Sequence, residues 1–498
     1  MSRTIGSLSR CSMAGAALFS LAALAILCAT PANAIPAFAR KYETSCQTCH
    51  VAYPKLNTFG QAFRLLGYRM PGETEGQVKR PDVALGAASY KRVWPDAVWP
   101  GAIPQNLPLS LVANFQVQNS SQIEIEDGEV HRDTVNNDMI FPSEVALVVA
   151  GTAGEHVSYF GEIGFEQSVE AGMIEQEVGV EHIDIRFIRP IRNSMAFNVK
   201  IGSFQPELVS GFDHARRLTV ANYDSMFGVS PIQSGGTEIV GGGGHHGGGG
   251  GISLPAVGRG IDLYGVVSHR FTWAAGILNG IGPGDATFDA NSGKDTYVKG
   301  AYKWGGLAPD GSNAAVYAGS PKNWREKSVQ VGVFYYRGDG KDIFFREEHD
   351  ELGVIEVIFV EDPDYTRTGL DFNWYFKDLN IFGAYVSGDD DLRIYADSVT
   401  EPGEPGVFDP DESGTYTYKS WFVEADMVLG MPWLHGAVRY ETVDLPRAED
   451  GLKVQAYERA TLSMTALVRA NVKGVMEYTE DLNESRNYQF WLGAGIAF

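Results

Sequence analysis

Two thiols and an imidazole stand together at Cys46-Gln47-Thr48-Cys49-His50. A C-x-x-C pair followed at once by His is the attachment pattern of a c-type haem. The thiols add to the porphyrin vinyl groups, and the imidazole reaches the iron as proximal ligand. The same C-x-x-C spacing serves dithiol redox centres of the thioredoxin kind, which need an unusually acidic attacking thiol. The adjacent His and the surrounding segment favour haem. The sixth iron position stays open between several donors. Met70, in Tyr68-Arg69-Met70-Pro71-Gly72, is the nearest good one, and a thioether there would raise the reduction potential. A histidine from elsewhere, His182 or His435, is the rival, as is an open or water-bound position.

Two further stretches carry metal-binding residue types. Asp389-Asp390-Asp391 with Asp397, Glu401, Glu404, Asp409, Asp411 and Glu412 make one loop strongly acidic, and oxygen ligands attract hard cations. A solvated loop on an acidic protein is the plainer reading. His245-His246 sits in the glycine run Gly241 to Gly251 and reads first as a flexible tether, second as a weak transition-metal site.

The element that must hold the C-x-x-C-H motif follows it directly. Leu56, Phe59, Phe63 and Leu66 recur at helical spacing, Pro54 suits a first turn, and Gly67 a stop. A segment this short needs help from a cofactor to complete a core. Beyond Gly72 the chain is rich in Pro, Gly and Trp and reads as a connector. Ahead of the motif, Arg3 and Arg10, the apolar run Met13 to Ala29 and the A-x-A site Ala32-Asn33-Ala34 form a secretory signal. Cleavage before Ile35 removes Cys11 and Cys28, so the mature chain has no thiols besides Cys46 and Cys49. Three parts result: 1–34 signal peptide, 35–105 haem segment and connector, 106–498 the remainder.

That remainder predicts a mainly β protein, a transmembrane antiparallel β-barrel of about sixteen strands, with eighteen as the alternative. Past the N-terminus no apolar run approaches the ~20 residues of a membrane helix. Strands alternate instead: Ile183, Ile185 and Phe187 oppose His182, Asp184 and Arg186; Leu434, Gly436, Val438 and Tyr440 oppose His435, Arg439 and Glu441. The last segment alternates from Tyr488 to Phe498 and stops on an aromatic. Alternation alone leaves a soluble sandwich open, where the polar face would be outermost; the signal and the terminal Phe favour a lipid-out, lumen-in barrel. Strands are expected to start near 108, 143, 155, 180, 195, 260, 270, 296, 327, 365, 378, 416, 432, 453, 468 and 487. Odd connections are long and even ones tight, which puts both termini on the periplasmic side. Residues 306–326 break the rule and suggest a missed strand pair. Lumen cations Arg186, Lys200, Arg439 and Lys473 are expected to line a wet pore or to meet haem propionates, and Asp184, Glu424 and Asp426 to do the same for cations. The formal net charge of -22 argues against a nucleic-acid partner.

Pro36-Ala37-Phe38-Ala39-Arg40-Lys41-Tyr42, the C-x-x-C-H motif, Pro54-x-Leu56-Asn57-x-Phe59-Gly60 and Phe63-Arg64-x-x-Gly67-Tyr68 together resemble the fused monohaem cytochrome–porins of ferrous-iron-oxidising bacteria. The match covers about Pro36 to Gly72. The resemblance implies one covalent haem c on Cys46, Cys49 and His50, attached after export, within or near the lumen of an outer-membrane barrel. It implies an iron:cytochrome type of electron transfer, from extracellular Fe(II) to a periplasmic cytochrome or copper protein. A conduit for another donor or acceptor, and a diffusion porin with a structural haem plug, are the alternatives.

Overall fold

The computed structural model describes residues 36–72, 83–84, 92–93, 102–103, 108–126, 129–170, 173–210, 257–279, 293–314, 326–339, 342–343, 360–361, 364–393, 413–444, 457–482 and 488–498. Sixteen of its strands form one closed barrel. They are β1 (Leu109–Glu126), β2 (Glu129–Ala153), β3 (Val157–Glu170), β4 (Met173–Phe187), β5 (Asn198–Phe204), β6 (Gly258–Val267), β7 (Phe271–Asn279) and β8 (Lys294–Gly305). Then come β9 (Glu326–Asp339), β10 (Asp364–Lys377), β11 (Leu379–Arg393), β12 (Ser413–Val428), β13 (Leu434–Asp444), β14 (Tyr457–Arg469), β15 (Val472–Asp481) and β16 (Tyr488–Ala497). Each pairs antiparallel with the next. β16 closes on β1, with Ile496 opposite Ala113 and the Phe498 amide donating to the Leu111 carbonyl at 2.8 Å. Closure leaves no unpaired strand edge, as a lipid environment requires.

The two faces of the wall settle what alternation left open. On β13, Val438 is 57% exposed while Arg439 between it and Tyr440 is 1% exposed. On β4, Ile183 and Ile185 face outward and Asp184 and Arg186 are buried. A soluble sandwich has the reverse arrangement. Here the apolar side chains form the outer girdle and the charges turn inward, the distribution of a barrel embedded in lipid. No helix among the described residues is long and apolar enough to cross a membrane.

Strand starts fall close to the expected ones, with two exceptions. β2 begins at Glu129 rather than 143, and β4 at Met173 rather than 180. The expected loops 119–142 and 166–179 are therefore extended hairpins, paired out to Glu126–Glu129 and Glu170–Met173. Apolar residues are sparse there, and short alternations such as Ile123 and Ile125 between Gln122, Glu124 and Glu126 fall short of a full membrane span. The acidic run Asp389-Asp390-Asp391 likewise belongs to β11, paired with Thr417, Tyr416 and Thr415. The eighteen-strand alternative falls with barrel closure at sixteen. In the long connection after β8, Leu307 and Ala314 pack with Ala62 of the N-terminal segment. Its described part, 306–314, makes that inward contact, and 315–325 lie outside the described residues. The tight turns hold: Ser268, His269 and Lys377 take positive φ (51°, 61° and 58°).

The N-terminal segment folds as a small plug at the end of the barrel where the short turns lie. It comprises α1 (Ala37–Lys41), one 3-10 turn (Cys46–Thr48), a ribbon of His50–Ala52 with Lys55–Leu56, and α2 (Thr58–Leu65). The expected helix start at Pro54 is displaced to Thr58. Asn57 caps it, its side-chain oxygen accepting from the Gly60 amide at 2.9 Å, and Pro54 sits in the ribbon turn before it. Gly67 ends the helix as expected, with φ +65°. The Tyr68 amide donates to the Phe63 carbonyl and the Gly67 amide to Arg64, which satisfies the helix's last carbonyls.

Polar latches tie the plug to the wall. The Ala37 amide donates to Ser110 Oγ at 2.7 Å, and the Arg40 guanidinium to the Leu109 carbonyl. Arg69, almost wholly buried, donates to the carbonyls of Gly154 (2.7 Å) and Val157 (2.9 Å) around the β2–β3 turn. Lys55 pairs with Asp426 on β12, and Arg64 with Glu207 at 2.6 Å.

Candidate haem-attachment site

The C-x-x-C residues lie in the 3-10 turn. Ser45 caps it by accepting from the Gln47 amide, and the Cys49 amide closes it onto the Cys46 carbonyl at 3.1 Å. Asn57 then locks the turn to α2. Its amide nitrogen Nδ2 donates to the carbonyls of Gln47 (3.2 Å) and Thr48 (3.1 Å), and its backbone amide to Cys49 (2.9 Å). This side chain is fully buried and joins the motif to the helix cap at once. Gly60 permits the approach: a Cβ there would lie 2.0 Å from the Cys49 carbonyl oxygen.

His50 Nδ1 is 2.9 Å from the Pro54 carbonyl oxygen. A carbonyl only accepts, so Nδ1 carries the proton and the lone pair sits on Nε2. That is the tautomer and the fixed orientation an iron ligand needs. The Tyr53 ring lies 5.4 Å from the imidazole.

Both cysteines are half-buried and not disulfide-bonded. Burial raises the Cys46 thiol, opposed by its own backbone hydrogen bond. Burial and then the neighbouring Cys46 push Cys49 up to about 12. An attacking thiol in a redox pair is lowered instead, by a helix end or a nearby cation. Neutral thiols a short reach from an oriented imidazole fit thioether attachment of a haem better than dithiol exchange.

The remaining predicted residues are spread around this centre. Met70 is half-buried; its neighbour Arg69 is anchored at the β2–β3 turn, and Gly311 packs on Pro71. The motif's own flank faces other strands: Ala52 packs with Ala437 and Leu467, and Gln47 donates to the Pro432 carbonyl at 3.3 Å. His435 is buried in the wall beside Val51 and Lys55. His182 lies on β4 with its ring edge to Phe160 at 6.4 Å. His245, His246, Asp397, Glu401, Glu404, Asp409, Asp411 and Glu412 lie outside the described residues. No group of three His, Cys, Asp or Glu suited to a metal ion occurs among the described residues.

The lumen charges are paired with one another. Arg439 meets Glu424 (3.1 Å) and Glu441 (2.7 Å), Arg186 meets Asp184 (2.6 Å), and Lys200 meets Asp262 (3.1 Å). After β5 the chain dips into the lumen. Leu208 and Val209 are buried there with Phe204, and the Ser210 amide donates to Asp371 on β10 at 2.9 Å. Between this inward segment, α2 and the wall of β4–β9 lies a cavity of about 120 Å³.

Sequence reasoning missed Asn57, Gly60 and the Pro54 carbonyl as the parts that shape the motif. The Asn before an apolar helical period was a readable cap signal. The tight contact at Gly60 had no local signature.

No family model matches the sequence, and no curated protein matches it. Among solved structures, the chain is similar to an anion-selective porin from Comamonas acidovorans at 9% identity and a TM-score of 0.43. That alignment covers 78% of this chain and 99% of the porin. Similarity to Salmonella typhi OmpF in complex with daunomycin is 11% identity with a TM-score of 0.44, covering 78% and 97%. For Pseudomonas aeruginosa OccK9 it is 11% and 0.35, covering 78% and 97%.

Proposed function

We propose that this protein is an outer-membrane barrel that carries one covalent haem c in its plug and moves electrons across the membrane. The observation that carries the reading is the C-x-x-C-H turn docked at the short-turn end of the barrel, with the His50 imidazole held by Pro54. Cys46 and Cys49 would hold the group by thioether bonds and His50 would ligate its iron; Met70 would be the nearest thioether to supply a further ligand, from a segment anchored at the β2–β3 turn. The haem supplies a one-electron centre. The donor is extracellular Fe(II), and the acceptor a periplasmic cytochrome or copper protein. Oxidation outside keeps insoluble ferric product out of the periplasm. The resemblance over Pro36 to Gly72 supports the choice of iron.

The plug residues do the positioning. Asn57 and Gly60 hold the thiol-bearing turn against α2, and Arg69, Arg40 and Lys55 hold the plug in the wall. The test is reduction of the purified, haem-loaded protein by Fe(II), read in the haem absorption bands. A protein without peroxidase-active pigment on denaturing gels overturns the cofactor assignment. A pigment that Fe(II) fails to reduce, with a potential well below the iron couple, overturns the donor.

A second reading is a diffusion porin whose haem segment is structural. The charge-lined cavity beside α2 favours it. Large conductance in planar bilayers, unchanged by Cys46→Ser, would establish it over electron transfer.

A further inference from the structure

The cavity beside α2 is lined by two buried hydroxyls that no described residue engages, and by an ammonium beside them. Most of its charges cancel in pairs. Arg64 is taken by Glu207, Arg186 by Asp184, Lys200 by Asp262 and Lys303 by Glu326. Three groups are left over. Tyr264 and Ser210, each at least nine-tenths buried, line the cavity, and neither hydroxyl has a hydrogen-bond partner among the described residues. Lys299 lines it too; among the described residues it makes no ion pair or hydrogen bond, though Asp371 and Glu207 attract it from farther off. A buried hydroxyl without a partner is unfavourable, so two such hydroxyls facing one space beside the Lys299 ammonium point to an acceptor that fills it.

The chemistry of that acceptor follows from the donors. One ammonium and two hydroxyls ask for several oxygen lone pairs on one small group that carries negative charge. A cation is disfavoured beside Lys299, Lys200 and Arg64. An apolar guest would leave all three donors unsatisfied. The size of the cavity limits the guest to a few heavy atoms. Its place limits it further. Thr58, Gln61 and Leu65 give the face of α2 that lines the cavity, whereas Gly60, on the other face, packs on Cys49. The helix thus stands between this cavity and the thiols. We propose that the cavity is a binding site for a small oxyanion of the carboxylate or phosphate class, distinct from the haem-attachment site and independent of whether haem is bound.

The experiment uses the full mature chain in detergent, as isolated and as Cys46→Ser. Inorganic phosphate and acetate are titrated at constant ionic strength, with chloride as the reference, and thermal unfolding is read. The expected result is saturable stabilisation by phosphate, acetate or both but not by chloride, in both proteins. Phosphate alone or acetate alone identifies which source of oxyanion the site takes. Lys299→Met and Tyr264→Phe each weaken the midpoint at least about tenfold, about 1.4 kcal/mol. Tyr264→Phe removes only an oxygen, so its result stands where Lys299→Met fails to fold. Absence of saturable stabilisation, or unchanged midpoints in Tyr264→Phe, overturns the proposal. Binding seen only in Cys46→Ser overturns it as well, because the haem's own carboxylates would then be the occupant.

Discussion

The plug and the wall are built by opposite rules. The wall repeats one device sixteen times: an antiparallel ladder with apolar residues outward and polar residues inward. Any one outward residue is interchangeable with another apolar one. The plug repeats nothing. Asn57 makes one cap and three ties to the motif, Gly60 admits one close contact, and Arg69 reaches two carbonyls of one turn. Losing a single such residue changes the geometry of the C-x-x-C-H turn while the ladders around it persist. Stability resides in the wall, and the placement of reactive groups in a handful of plug side chains.

That division is open to direct attack. The largest effect is expected for Cys46→Ser. It abolishes the two-point attachment and with it most peroxidase-active pigment on denaturing gels, while heat-modifiable migration of the folded barrel remains. Loss of the barrel along with the pigment would show that the wall depends on the loaded plug. Next is Arg439→Leu, which strands Glu424 and Glu441 as buried charges and should cost about 3–5 kcal/mol in urea unfolding of the membrane-inserted protein. Leu462→Arg, on the outer face near the middle of β14, should cost about 2–4 kcal/mol by the same measurement.

Asn57→Ala sharpens the contrast. It removes a helix cap worth about 0.5–2 kcal/mol. It should lower the haem-to-protein ratio and speed amide exchange over residues 46–50, with little change in barrel unfolding. A barrel as destabilised as by Arg439→Leu would break the comparison. The smallest effect is a pH limb. Burial would raise the Asp310 carboxyl, but hydrogen bonds from His269 and Ser312 outweigh it and hold it below its usual range. A depressed carboxyl contributes stability above its unfolded pKa, lost as pH falls through the folded value. Asp310→Asn should therefore lower stability slightly at neutral pH, match the unaltered protein in acid, and so flatten the acid side of the unfolding profile.

What was legible divides along the same line. The strand count and most strand starts follow from period-two alternation, because lipid on one side and a polar lumen on the other write a hydrophobic period into the chain. The pattern thins where apolar residues become sparse, so the outer halves of the β1–β2 and β3–β4 hairpins read as loops. It gave no sign of the inward contact of Leu307 and Ala314 with Ala62, far away in sequence.

The sequence alone determined the alternating barrel, the C-x-x-C-H motif and the helix that follows it, for these rest on residue types at short spacings. Only the tertiary structure decided which face of the wall is outermost, where the plug docks and which carbonyl orients His50. It alone paired the lumen charges and left Tyr264, Ser210 and Lys299 around one cavity. Those outcomes depend on barrel closure, which brings together residues a hundred or more positions apart, and no local period carries that information.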